Sequence, residues 1–432
     1  MTHPARSPLP QLIEESLGEA VFLWRCWETE LASLTRNLDE VWSWTEDRLH
    51  GALAGVRVAG DGVVAIATPG LASEDLHEVT VSAYVLASAR ASEAAPTLVK
   101  ALASAHGPRL GAIVRALELV GSNPATSKVL GAAATALAAH GDAHNAALCR
   151  LKTFRRASGG EELVPAFESD VPEHQAHALR AARHLPEQYV EEWINVGLRC
   201  PHPDVQRAAI ESGVSRNVAS AWHAAVGLAS RLDPGSGPYL RIMALLGGAE
   251  EHEIVYTSLR SAETQVQAIW ALGHIGTRRA AEACLHGMKH EKLARYAGEA
   301  YCHITGADLN RDHLAATETA AEMPPLELDD LDANLVPSAE ALWPLPDVDA
   351  VRRHWEATQA HLQPNARYVR GLLANPSVLL AAVESGPMLR RPDLALELAA
   401  LSGGRFDVET RAFAQRQRSM MANGRIAFAG GR

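Results

Sequence analysis

One spacing constrains this chain more than any other feature. Between about Ser73 and Gly306, the stretches "NPATSKVLGAAATALAAHG", "PHPDVQRAAIESGV", "DPGSGPYLRIMALLGG", "SAETQVQAIWALGHIG" and "HEKLARYAGEAYCHITG" follow one plan: a polar turn, a helix with small residues near its middle, and usually a terminal glycine. Gly213, Gly247 and Gly273 fall in equivalent places, and a period of roughly 26 to 34 residues is that of helix-pair repeats. Within "TQVQAIWALGHIG", Val266, Ile269 and Leu272 share one helical face, while Ala268 and Ala271 leave room for a neighbouring helix. Asp or Ser in each turn caps the helix that follows, and glycine after the last turn can take the left-handed conformation that ends it. A single pair cannot bury its own apolar stripe. Successive pairs must therefore stack, and the spacing predicts an all-α fold, an α-solenoid wound as a right-handed superhelix with a concave surface.

The flanks read differently. Residues 1–68 form an expected helical cap at the amino-terminal end of the array, carrying Trp24, Trp27, Trp42 and Trp44 on two amphipathic helices that end near Gly55 or Gly60. These aromatics serve as core first and as a docking face second. The array itself spans 69–306. Residues 307–350 are an acidic, proline-rich connector, because Ala320 to Asp349 holds five prolines and eight acidic residues. Residues 351–432 return to helical patterning. In that region "ARYVRGLLANPSVLLAAVESG" reads as helical, and "FDVETRAFAQRQRSMM" reads as a basic amphipathic helix.

Composition narrows the function. A net charge of -11 argues against a surface built to track phosphates, so nucleic acid is not the expected partner. Five widely spaced cysteines with no CxxC pair suggest reduced thiols rather than a disulfide framework. The prolines and acidic residues of the amino terminus do not make a signal peptide, and no run approaches 18 uncharged apolar residues. The chain is expected to be cytoplasmic, without a membrane partner.

The repeated units resemble HEAT repeats of the short bacterial type, with Asp204, Val205, Arg207, Ala208 and Gly213 matching best and Val266, Ala268, Ala271, Leu272 and Gly273 second. "CHITG" at 302–306 resembles the usual ending of such a unit. A narrower resemblance takes in both ends: "GEAVFLWR" at 18–25, "RLHGALAGVRVAG" at 48–60 and "FDVETRAFAQRQ" at 406–417 look like a family of bacterial HEAT-repeat proteins often encoded in type VI secretion clusters. That family supplies no catalytic residues to carry over. The resemblance implies an accessory role in secretion, with an effector or spike-associated protein as the partner.

Chemistry-bearing residues point the same way. His286 and His290 stand at i, i+4, and Cys284 and Cys302 could complete a tetrahedral metal site only if the next helix folded back, since Cys284 and His286 lie on nearly opposite helix sides. Solvent-facing histidines and core cysteines are the simpler reading. No nucleophile elbow or P-loop is present, and no catalytic residue, cofactor or metal is expected. The candidate partner-binding residues are Trp24, Trp27 and Trp270, together with Arg155 and Arg156 of the basic cluster "LKTFRRASGG". The favoured function is a non-enzymatic protein-binding scaffold or adaptor. Its alternatives are an immunity protein that neutralises a secreted toxin and, in a different class, a lyase or DNA glycosylase on the same scaffold.

Overall fold

The computed structural model describes residues 10–156, 160–317 and 339–429. The core of the acidic connector lies outside them. The described chain is almost wholly helical and packs in neighbouring helix pairs, an all-α solenoid-like fold. It divides into two compact units, Met1–Trp222 with Val383–Arg432, and His223–Ala382. This division cuts across the linear order of cap, array, connector and carboxyl-terminal region. The cap and the last helices share one unit, while the repeats are apportioned between both.

In the first unit, the helices Leu76–Ser88, Gly107–Leu119, Asp142–Arg155, Pro172–Ala182 and Pro203–Ser215 pack side by side as one row, and Pro10–Glu30 begins it against Leu76–Ser88. A second row, including Ala94–Ser104, Pro124–Ala138 and Glu187–Arg199, backs the first. Burial separates the two rows. Val79 through Ala87 are all buried in one first-row helix, whereas Pro124–Ala138 in the second buries mainly one stripe, Val129, Ala133 and Leu137. A helix buried all round is covered on both sides. Here the second cover is the returning carboxyl-terminal segment: Phe413 packs on Tyr84 of Leu76–Ser88, and Arg391–Leu401 packs on Pro203–Ser215.

Capping follows the expected chemistry. Asp75 accepts from the His77 amide, Asn123 forms a capping box with Thr126, and Thr277 and Asp347 cap the helices that follow them. The glycines need correction. Gly213 and Gly273 lie inside helices, and Gly247 caps its helix with extended rather than left-handed backbone. Gly213 is small because a Cβ there would sit 2.3 Å from that of Ala221.

Gly276 and Gly306, both in the second unit, do end their helices in the left-handed conformation. Its row is Gly237–Leu246, Gln265–Ile275 and Glu291–Thr305, with Ala249–Ser258 and Arg278–Gly287 behind. Where the sequence reads as helix, residues 368–373 form a small antiparallel hairpin, Tyr368–Val369 against Leu372–Leu373. Arg370 and Gly371 both have positive φ, as a two-residue hairpin turn of matching twist requires. The hairpin seats on the two glycine ends, with the Tyr368 amide 2.8 Å from the Gly276 carbonyl and the Gly371 amide 2.9 Å from that of Ile304. A Cβ at Gly276 would lie 2.3 Å from the Tyr368 carbonyl oxygen, and one at Gly306 2.5 Å from that of Arg370. Gly276→Ala is therefore expected to destabilise the second unit by about 1–3 kcal/mol through left-handed strain and the clash. Amide exchange resolves the effect: Tyr368 loses protection first, and unchanged protection at Tyr368 would refute it.

Candidate interaction surfaces

The amino-terminal helix Pro10–Glu30 lies antiparallel to the stretch Leu38–Arg57, since Trp27 reaches Glu46, Glu19 meets Arg48 at 3.3 Å, and Ser16 faces Gly55. A π-helical turn, Trp42–Glu46, interrupts the second helix. Widening one turn changes which side chains face inward: Thr45 and Glu46 are buried and Trp44 is 58% exposed. Trp24 and Trp27, 1% and 0% exposed, pack with Tyr84 and Phe413. These two candidates are core, and neither offers a docking face in this conformation.

The same helices expose four other large apolar side chains, Leu12 (56%), Phe22 (59%), Trp44 (58%) and Val58 (64%). Leu12 lies one turn before Ser16 and Val58 three residues after Gly55, while Phe22 is three residues beyond Glu19 and Trp44 one turn before Arg48. Along this helix pair Leu12 and Val58 lie toward one end of the seam and Phe22 and Trp44 toward the other. The Glu19–Arg48 pair lies between them, and the Arg36 guanidinium sits 4.6 Å over the Trp44 ring. Leu12 and Phe22 fall outside the stripe that holds Trp24 and Trp27. Their only sequence signal is an apolar residue on the wrong helix face.

Along the carboxyl ends of the first-row helices runs residues 404–416. Where a helix is expected from Phe406, the chain is extended to Glu409, turns, and becomes helical only at Ala414. Phe406, Val408 and Phe413 are buried beneath it, and charged groups tie down its backbone. Asp407 lies 3.4 Å from both Arg183 Nε and His184 Nε2, and Arg156 donates to its carbonyl. Arg115 bridges Glu28 at 2.6 Å and Glu118 at 3.2 Å and donates to the Arg411 carbonyl at 2.8 Å. Burial works against the Arg115 and Arg183 charges, and the facing carboxylates more than offset it, so both guanidinium pKa values rise. Burial, with the Asp407 and Glu118 carboxylates behind it, pushes the Glu409 carboxyl up against the pull of Arg183.

This network absorbs the basic cluster. Arg155 donates to the Leu117 and Val120 carbonyls at 3.2 and 2.8 Å, closing the end of Gly107–Leu119, and Arg156 secures the returning segment. Lys152 pairs with Glu162. These cations stabilise helix ends and a strap, the ordinary role of arginine at such positions.

In the second unit, Trp270 is half-buried beside Trp343, whose carbonyl accepts from Arg295. Cys284 faces the core, while His286 and His290 face solvent with their rings 5.7 Å apart. Burial raises the Cys302 thiol well above its usual range. Among the described residues, no three His, Cys, Asp or Glu side chains converge as metal ligands would, and no single helix is long and apolar enough to cross a membrane. His286 and His290 line a cleft of about 690 Å³ together with Arg260, Lys289 and Lys292. No family model matches the chain and no curated protein is significantly similar to it, so these surfaces carry the functional reading.

Proposed function

We propose that the protein is a non-enzymatic binding scaffold whose partner is another protein, docked on the seam of Leu12, Phe22, Trp44 and Val58. The exposed apolar seam carries this reading. Large apolar side chains left exposed together on one helix pair are a candidate interaction site, and aromatic residues dominate binding energy where they are fixed in place. Both helices are anchored from behind by the Trp24–Trp27–Phe413 cluster, so little ordering cost accompanies docking. The resemblance of both chain ends to proteins of type VI secretion clusters nominates a secretion effector or spike-associated protein, met in the cytoplasm. An immunity role is the second reading within the same class.

Phe22→Glu with Trp44→Glu tests the proposal. Both side chains are more than half exposed, so the thermal midpoint should stay put. Recovery of partners from the native host, identified by mass spectrometry, should fall roughly 30-fold, the loss of one or two binding hot spots. Equal recovery by the substituted chain sinks the seam. Carried into the host gene, the substitution separates the roles: loss of effector export marks an adaptor, and self-intoxication of sister cells marks immunity.

A further inference from the structure

We propose that the second-unit cleft binds a phosphate monoester with an apolar body. Lysine usage is the first observation. The chain has only five lysines, Lys100, Lys128, Lys152, Lys289 and Lys292, against 35 arginines, the remainder of 40 basic residues. Two of the five stand three residues apart on this one cleft. An ammonium is a compact point charge suited to phosphate.

Pairing is the second. Several other cations of this unit are engaged: Arg278 with Glu282, Arg279 with Glu253, Arg311 with Asp312, and Arg295 with the Trp343 carbonyl. Among the described residues, the side chains of Arg260, Lys289 and Lys292 meet no carboxylate or other hydrogen-bond partner, and all three are exposed. Around the cleft, three formal positive charges face one carboxylate, Glu291. The surplus of two matches a phosphate dianion.

Shape is the third. Gly287 forms part of the lining because a Cβ there would meet Ile269 Cδ1 at 2.8 Å, so the glycine lets the helices close behind the cleft. Leu259, Ile269 and Leu293 line it with apolar surface. Its volume of about 690 Å³ suits a small organic ligand, for which sites span roughly 300–1,000 Å³. The helix Glu291–Thr305 opens at the cleft, and its N-cap His290 makes no side-chain cap. The positive end of the helix adds to the same field.

The test titrates the full chain with inorganic phosphate, pyrophosphate and adenosine monophosphate at constant ionic strength, read by calorimetry. Saturable binding is expected, tightest for the nucleotide. It should weaken about tenfold in Lys289→Ala and about tenfold again when Lys292→Ala is added. Arg353→Ala, an exposed cation outside the cleft, should leave it unchanged. Absence of saturable binding by all three probes overturns the site, as does binding that the lysine substitutions do not weaken. Nucleotide binding no tighter than phosphate overturns the apolar body.

Discussion

Glu46→Ala is expected to lower the unfolding free energy of the first unit by about 3–5 kcal/mol, the cost of breaking a buried charged network by removing one partner. The carboxylate is 1% exposed. One oxygen accepts from the Trp27 indole at 2.9 Å, and both accept from the Ala414 amide at 2.8 and 3.0 Å. Alanine strands both donors away from water, and each stranded donor costs about 1–3 kcal/mol. For a unit of this size the thermal midpoint falls by roughly 10 °C. Glu46→Gln retains an acceptor and should lose about half as much. Amide exchange at Ala414 locates the damage, because this bond fixes the point where the strap becomes helix. Should Ala414 stay as protected in the alanine variant as in the wild type, the carboxylate does not anchor the strap and the larger loss has another origin.

That anchor could not be read from the sequence, and the reason is physical. The Glu46–Ala414 bond spans 368 residues and the Arg115–Arg411 bond 296, whereas helical periodicity reports only neighbours three and four apart. Stacked helix pairs were legible because each buries a local stripe, as Leu98 and Leu102 or Val129, Ala133 and Leu137 do. The strap was not. "FDVETRAFAQRQRSMM" has enough helix formers to pass as amphipathic throughout, but Phe406 and Val408 alternate with acidic residues that satisfy arginines and a histidine on other helices. Tertiary pairing there outweighs local propensity. Which aromatics of the first helix are exposed escaped the sequence for the same reason. Trp24 and Trp27 announce themselves by size, but only the packing against Phe413 and Tyr84 decides that they point inward and Phe22 outward.

Acid should loosen the first unit well before its carboxylates are protonated. His177 is held down to about 4 by burial and by Arg180 and Arg150, and His184 to about 3 by burial and by Arg183, against the pull of Asp407. Both imidazoles are neutral in the folded chain, while in the unfolded chain each takes a proton near its ordinary 6.5. A base whose folded pKa is depressed gives stability that is complete above the unfolded value and lost as pH falls below it. The loss therefore begins near pH 6.5 and continues toward the folded values. Near pH 5 each histidine should have forfeited about 2 kcal/mol, together about 4, on a slope approaching two protons per molecule. Glu409 acts in the opposite sense, since its raised carboxyl pKa favours the folded state as protons are taken up, and it trims the effect at the acid end. Urea midpoints at pH 7.5, 6 and 5 measure the slope. His184→Gln removes one titrating group at the Asp407 clamp and should halve the slope while preserving the neutral side chain's bulk. A slope that survives the substitution intact would show that His184 does not carry the acid sensitivity.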